Sequence, residues 1–299
     1  MLSFLYLFIN IVILLLLSSY FIENFINDIK YIMNMDPNNY NVIEDFVKSL
    51  SKANDVITNE NPDIIIAPMF GSIPFIDVMN IINSDFPNDK VRYVPASNKV
   101  YRLRNVIRAV FKNLIEDETP EGGYFLSIDE VVSGNSLCRV HKQFNAAAMQ
   151  YANSKILGTY SQNVDFTKEN IKNSRDEIYN SIKYKSIGIV DSKLKRKNIP
   201  LNDSYKELVE KGVVIQIPTQ QIVTMDRPGF FPARYKEVRD SENNTVYLPV
   251  VDQFTVSSEY IDFLNRVAEI LGKPSVVTLS NMGNIRNSYK FVPENLRKL

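Results

Sequence analysis

Residues 125–137 read FLSIDEVVSGNSL, and this stretch decides the predicted fold. An apolar run leads into the acidic pair Asp129 and Glu130, and a short polar turn then precedes the start of a helical pattern. A strand that passes through a short turn into a helix is the repeating unit of a parallel sheet. In such sheets the ligand lies beyond the carboxyl ends of the strands. The acidic pair and the turn are therefore the expected place of any chemistry.

The polar turn consists of Ser133, Gly134, Asn135 and Ser136. Backbone N–H groups of such a turn, at the positive end of the following helix, can converge on one anion. Gly134 permits a positive φ and a close approach of the backbone to a ligand. These features predict a phosphate-binding turn, although a surface turn with a serine helix cap has the same residue types.

The acidic pair suits a different part of the same ligand. Ionised carboxylates only accept hydrogen bonds, so they do not bind phosphate directly. Asp129 and Glu130 instead suit sugar hydroxyls or a hydrated Mg²⁺ beside a phosphate. We therefore expect a sugar or a metal ion next to the turn.

The rest of the pattern predicts an α/β fold, in which a parallel sheet lies between helices in three Rossmann-type layers. Strands are expected at residues 63–67, 91–95, 124–128 and 156–160, and later at 213–217, 221–224 and 245–251. Helices are expected at residues 42–53, 76–83, 100–114, 136–151 and 258–271. Residues 163–183 are polar and are expected to form a helical insertion or lid.

Two further groups of residues follow predicted strands, where chemistry is expected in a parallel sheet. The group after the first strand comprises Phe70, Gly71 and Ser72, in a loop that is equally typical of an ordinary strand-to-helix turn. The group after the second strand is basic and comprises Lys99, Arg102 and Arg104. Both groups are expected near the ligand edge of the sheet.

The apolar strand, the acidic pair, the polar turn and the helix together resemble the signature loop of type I phosphoribosyltransferases, and motifs support this resemblance over residues 62–160. It implies that Asp129 and Glu130 are catalytic, hold Mg²⁺ and contact the ribose hydroxyls of phosphoribosyl pyrophosphate. It also implies that the turn binds the 5′-phosphate and that the two groups of loop residues bind pyrophosphate. A C-terminal hood would hold the acceptor base through Asp226, Phe230 and Phe231.

The resemblance implies a protein that binds phosphoribosyl pyrophosphate and Mg²⁺ and transfers phosphoribose to a nucleobase-like acceptor. The alternative is a non-catalytic module on the same fold that senses a nucleotide or a sugar phosphate. Two departures favour this alternative. Only Val131 and Val132 separate Glu130 from Ser133, where the family has three residues, and the loop at Gly71 lacks the family's basic residue. An unrelated α/β domain with another phosphate ligand is a third interpretation.

Residues 2–22 read LSFLYLFINIVILLLLSSYFI and carry no charge. Because about 20 apolar residues cross a hydrocarbon core, we expect a single-pass membrane anchor. Lys30 gives a faint preference for a cytoplasmic location of the rest of the chain. A cleaved signal peptide, a core or dimer helix, and a soluble cytoplasmic protein that starts at Met33 or Met35 are the alternatives.

The charge and cysteine content exclude several classes of function. The 34 basic and 34 acidic side chains balance, so no general attraction to nucleic acid is expected. The single Cys138 excludes an internal disulfide, and with the single His141 it argues against a structural zinc site. The expected partners are a small sugar phosphate or nucleotide and a membrane, with a homodimer left open.

The predicted organisation has three parts. Residues 1–24 are the anchor, and residues 25–60 are a linker followed by a helix. Residues 61–299 are a phosphoribosyltransferase-like domain with an insertion near 161–183 and a variable C-terminal hood.

Overall fold

The computed structural model of the protein describes residues 40–68, 71–94, 96, 103–160, 167–193, 199–223, 231–239, 241, 243, 245–253 and 258–273. The chain divides into two compact units, residues 1–40 and residues 41–299. Apart from Tyr40, all described residues belong to the second unit. The predicted anchor at residues 2–22 lies outside the described residues, and none of the helices within them is long and apolar enough to cross a membrane.

The described part of the chain contains alternating helices and strands. The helices are α1 (Tyr40–Glu60), α2 (Ile73–Ile82), α3 (Leu103–Glu118), α4 (Asn135–Tyr160), α5 (Lys168–Ser181), α6 (Asp203–Glu210) and α7 (Ser258–Ile270). The strands are β1 (Ile64–Pro68), β2 (Val91–Val94), β3 (Gly123–Val131), β4 (Ile182–Asp191), β5 (Val214–Thr219), β6 (Phe231–Arg239) and β7 (Thr245–Gln253).

The first five strands form one parallel sheet in the order β2-β1-β3-β4-β5. This confirms the predicted α/β fold with a parallel sheet flanked by helices. The chain moves outward from β1 to β2 and then returns to add β3 on the other side of β1. The strand order thus reverses between β1 and β3, and in such sheets the ligand crevice lies outside the carboxyl ends at that reversal. Strands β6 and β7 form a separate antiparallel pair.

Each face of the sheet has its own apolar core. Because successive side chains of a strand point to opposite faces, β3 contributes to both. Leu126 and Ile128 belong to the core that also contains the apolar residues of α1, α2 and α7. Phe125 belongs to the other core, where its ring contacts Phe144 of α4 at a centroid distance of 4.8 Å. These two cores fix β3, and with it the acidic pair, in the centre of the sheet.

The predicted fourth strand at residues 156–160 is wrong, because these residues are the last part of α4. The buried stripe keeps a helical spacing of four through this region, and no Pro interrupts it; its members are Val140, Phe144, Ala148, Ala152 and Ile156. Leu157 is 71% exposed, whereas a central parallel strand buries both of its faces.

The true fourth strand is β4, which pairs with β3 along its whole length. No strand is predicted there from the sequence, because the first half of β4 is polar and residues up to 183 fit the polar helical segment. The helical part of that segment is confirmed by α5, which leads directly into β4. Residues 221–223, predicted to begin a strand, are irregular.

Candidate functional site

The acidic pair lies inside β3 rather than in a loop after it. The strand continues through Asp129 and Glu130 to Val131, and it pairs Asp129 with Gly188 and Glu130 with Ile189 of β4. Their backbone is therefore held by a sheet ladder. A rigid element places side chains more accurately than a loop does, which suits a binding site.

Gly71 lies directly against the acidic pair. A Cβ atom at residue 71 would be 2.7 Å from the Asp129 Oδ1 atom and 3.3 Å from the Glu130 Cγ atom. A Cβ atom there would force the Asp129 carboxylate to move and would press on the Glu130 side chain. The loop after β1 and the end of β3, which are predicted separately from the sequence, therefore meet at the point where the strand order reverses.

The Asp129 carboxylate is buried and has Glu130 and Arg139 as charged neighbours. Its side chain is 4% exposed. Burial and the nearby Glu130 charge raise the pKa of Asp129 to about 7. A hydrogen bond from the Ser136 side chain, a 2.9 Å bond from the Glu130 N–H and the charge of Arg139 oppose that rise. Asp129 is therefore partly protonated near neutral pH, and Ser136 connects it to the polar turn.

A third carboxylate, Asp191 at the end of β4, lies beside the pair. Burial raises the pKa of Glu130, and the Asp191 charge raises it further. Asp191 is buried and accepts hydrogen bonds from the N–H groups of Lys193 (2.7 Å) and Ile222 (2.9 Å). It thus anchors the segment after β5 and adds negative charge to the carboxyl edge of the sheet.

The polar turn has the predicted backbone conformation. Gly134 has a φ of +80°, in the region that favours glycine, and α4 begins at the next residue. A Cβ atom at residue 134 would lie 2.3 Å from the Cγ atom of Tyr205 in α6. Asn202, which caps α6, donates its N–H to the Ser133 carbonyl at 2.9 Å and its side-chain amide to Asn135 Oδ1 at 2.6 Å.

Arg104 of α3 and Arg139 of α4 lie on the same side of the site. The Arg139 guanidinium donates to the carbonyl of Ala96, just beyond β2, at 3.3 Å. Burial lowers the pKa of Arg139, the Asp129 charge opposes this, and the charge of Arg104 lowers it further. One helical turn deeper, Arg108 donates to Gln143 Oε1 from both Nε (3.1 Å) and Nη2 (2.9 Å). The predicted anion-binding residue Arg104 is therefore a neighbour of Arg139, which in turn approaches Asp129.

Other predicted site residues have different outcomes. Ser72 is fully buried, and its hydroxyl donates to the Pro68 carbonyl at 2.6 Å, so that hydroxyl already has a partner within the protein. Phe231 is the first residue of β6. The predictions for Phe70, Lys99, Arg102, Asp226 and Phe230 fall outside the described residues.

Four residues that approach the site were missed by sequence reasoning, namely Arg139, Asp191, Asn202 and Tyr205. Two of them leave a signal. Arg139 follows Ser136 by three residues, which is one helical turn, and Asp191 ends an apolar run as Asp129 does. The other two approach the turn from α6, about 70 residues further along the chain, which no local pattern indicates.

The donor set of the acidic pair fits a hydrated Mg²⁺. This ion keeps several waters and takes one or two carboxylates together with substrate phosphates. Asp129 and Glu130 would be those carboxylates, and because burial raises the pKa of both, a bound cation would favour their ionised forms. Within the described ranges, no group of three or more His, Cys, Asp or Glu side chains is placed to hold a metal ion by itself.

The arrangement can therefore offer N–H donors at the turn, carboxylates for a cation or hydroxyls, and two guanidinium groups. Comparison of the chain with models of known protein families found no match, and comparisons with curated proteins and with solved structures also found none.

Proposed function

We propose that this protein binds phosphoribosyl pyrophosphate with Mg²⁺ at the carboxyl edge of its sheet and transfers the phosphoribosyl group to a nucleobase-like acceptor. The observation that carries the proposal is the contact of Gly71 with Asp129 and Glu130. It brings the loop after β1 to the acidic pair, while the Ser136 side chain connects Asp129 to the polar turn. Two stretches separated in the sequence, the loop at Gly71 and residues 129–136, thus meet and offer the groups that a sugar diphosphate needs.

Each part of the site has a proposed role. The turn donates N–H groups to the 5′-phosphate, in the way that helix N-termini bind phosphate. Asp129 and Glu130 accept hydrogen bonds from the ribose hydroxyls and hold Mg²⁺, which neutralises charge on the diphosphate. Arg139 adds positive charge beside the Asp129 carboxylate, and Arg104 adds positive charge beside Arg139. The contribution of the protein is positioning together with electrostatic stabilisation.

The proposed reaction is a displacement at C1 of the ribose. A nitrogen of the acceptor base forms a bond to C1, and the bond from C1 to the diphosphate oxygen breaks. Pyrophosphate leaves with the electron pair, and the acceptor nitrogen loses its proton. Mg²⁺ and the arginines stabilise the charge that develops on the leaving diphosphate.

A second candidate is a non-catalytic module that binds a nucleotide or sugar phosphate without turnover. The burial of Asp129 and its hydrogen bonds to Ser136 and the Glu130 N–H favour this candidate. A carboxylate that is already bonded within the protein is a weaker partner for ribose hydroxyls. The short spacing between the acidic pair and the turn points in the same direction.

The test is calorimetric titration of the full-length protein with phosphoribosyl pyrophosphate and Mg²⁺, followed by an assay of pyrophosphate release with a panel of bases. Gly71→Ala should weaken binding by at least about tenfold, because its Cβ would displace the acidic pair. Gly158→Ala is the matched control, since a Cβ there meets nothing within 4 Å. Asp129→Asn should abolish turnover.

The outcomes separate the two candidates. Binding with release of pyrophosphate for at least one base supports the transferase. Binding without release for any base supports the module that senses the ligand. If the folded protein binds neither phosphoribosyl pyrophosphate nor ribose 5-phosphate, the phosphoribosyl proposal is wrong.

A further inference from the structure

Helix α6 packs directly on the polar turn through Tyr205. The Tyr205 ring is fully buried, and a Cβ atom at Gly134 would lie 2.3 to 2.6 Å from three of its atoms. The ring therefore occupies the space that any side chain at residue 134 would need. The positive φ of Gly134 and the position of Tyr205 are parts of the same arrangement.

The other end of Tyr205 reaches the sheet. A Cβ atom at Gly188 would lie 2.9 Å from the Tyr205 hydroxyl oxygen, and Gln216 of β5 donates its side-chain N–H to that oxygen at 3.0 Å. Gly188 is the β4 residue that pairs with Asp129. Tyr205 is thus fixed at both ends, between the turn and the strand beside the acidic pair.

Asn202 makes one hydrogen bond to the first turn of α6 and two to the polar turn. Its Oδ1 atom accepts the Ser204 N–H at 2.8 Å and so caps α6. Its side-chain amide donates to Asn135 Oδ1 at 2.6 Å, and its backbone N–H donates to the Ser133 carbonyl at 2.9 Å. The Ser133 carbonyl oxygen and Asn135 Oδ1 are both acceptors, and either would repel a phosphate oxygen that it faced. Asn202 bonds both of them and leaves donors as the groups that the turn offers to a ligand.

We propose that Asn202 and Tyr205 are positioning residues that hold residues 133–136 in the conformation that binds the phosphate monoester of the ligand. The proposal rests on the proposed function for the identity of that anion. Its physical basis is preorganisation: donors fixed before the ligand arrives do not have to be ordered during binding. Neither residue needs to touch the ligand.

The variant that tests Asn202 most directly is Asn202→Ser. Serine is also a good helix cap, so the start of α6 is retained, but its side chain is too short to reach Asn135. Tyr205→Phe is the matched control, because it keeps the ring against Gly134 and removes only the hydroxyl that binds Gln216. Tyr205→Leu removes the ring itself, and this variant is measured in the same way if it folds.

Two properties of the full-length protein are measured for each variant. The first is the affinity for ribose 5-phosphate, compared with the affinity for pyrophosphate and Mg²⁺. The second is the rate of amide hydrogen exchange at residues 133–137 without ligand. Asn202→Ser should weaken ribose 5-phosphate binding about fivefold, the effect of one hydrogen bond. It should leave pyrophosphate binding within about twofold of wild type and accelerate exchange at the turn.

A purely structural role predicts a different result. Equal losses for both ligands, or unchanged exchange at residues 133–137, would overturn the proposal. If the wild-type protein binds neither ligand, the proposed function fails and exchange decides alone. Faster exchange at the turn in Asn202→Ser, but not in Tyr205→Phe, would then still support positioning by α6, and unchanged exchange would refute it.

Discussion

The two edges of the five-stranded sheet treat carboxylates in opposite ways. At the amino edge, Glu60 accepts hydrogen bonds from the Lys185 ammonium (2.8 Å) and the Tyr124 hydroxyl (2.7 Å), and these bonds lower its pKa. At the same edge, Arg92 donates from Nε to Glu118 Oε1 at 2.7 Å, and its side chain is only 4% exposed. Each of these carboxylates has a cation as its partner.

At the carboxyl edge, acidic side chains gather instead. Burial and Glu130 raise the pKa of Asp129, while burial and Asp191 raise the pKa of Glu130. The amino-edge pairs support the folded state, whereas the carboxyl-edge acids cost folding energy until a cation or ligand compensates them. Perturbed acids in a cleft are typical of functional sites. The contrast therefore separates charges that serve stability from charges that we propose serve binding.

The largest expected effect is a loss of stability when an ion pair at the amino edge is removed. Arg92→Met should destabilise the protein by roughly 3 to 5 kcal/mol, because it leaves the partly buried Glu118 without its cation and the Asp89 and Val91 carbonyls without their donor. Urea unfolding at pH 7 measures this loss. Lys112→Met, in the more exposed Lys112–Glu116 pair, is the control and should cost at most about 0.5 kcal/mol. Equal losses in the two variants would contradict the assigned role of Arg92.

The next largest effect is a gain of stability when a buried carboxylate at the carboxyl edge is replaced. Asp129→Asn should stabilise the ligand-free protein at pH 8 by on the order of 2 to 4 kcal/mol, since it removes a buried charge whose pKa is about 7 in the folded state. The folded state holds this proton more tightly than the unfolded state, so wild-type stability falls as pH rises from about 4 to 7. The gain should accordingly vanish at pH 4. A loss of stability at pH 8 would contradict the prediction.

Much of the carboxyl edge follows from local sequence. The apolar run before Asp129 and the glycine at 134 predict a strand and a positive φ, and the structure contains both. They are predictable because each depends on neighbours within a few residues. Gly71 joins them because parallel strands bring their carboxyl ends to one edge.

The parts that escaped prediction depend on distant contacts or on competing patterns. The run at residues 156–160 has strand-like composition, but α4 extends through it because its buried stripe continues. Asn202 and Tyr205 reach the turn only after the chain has formed β4 and returned. The pKa of Asp129 depends on burial in the folded state, which the sequence does not express.

A smaller expected effect is the pH dependence of Mg²⁺ binding at the carboxyl edge. If Asp129 and Glu130 hold Mg²⁺, the ion must displace a proton from Asp129 below pH 7, because carboxylate ligands bind metals in the ionised form. The affinity for Mg²⁺ with phosphoribosyl pyrophosphate should then rise about tenfold per pH unit between pH 5 and 6 and level off above pH 7. Calorimetry at several pH values measures this slope. Asp129→Asn should remove it, and a slope that persists in that variant would assign the proton to another group.

The smallest expected effect is on stability, when a carboxylate at the amino edge is replaced by its amide. It tests whether the two edges of the sheet differ. Glu60→Gln should destabilise the protein at pH 7 by only about 0.2 to 1 kcal/mol, because Glu60 and Lys185 are 28% and 39% exposed and water screens the pair. The lowered pKa means that this stability is present above the unfolded pKa and is lost as pH falls through the folded value, so the difference between the variant and wild type should shrink at acid pH. Urea midpoints at pH 7 and pH 3 measure it, with Glu44→Gln in the more exposed Lys48 pair as the control. If Glu60→Gln stabilised the protein as Asp129→Asn should, removal of any carboxylate would be favourable, and the difference between the two edges would not mark a binding site.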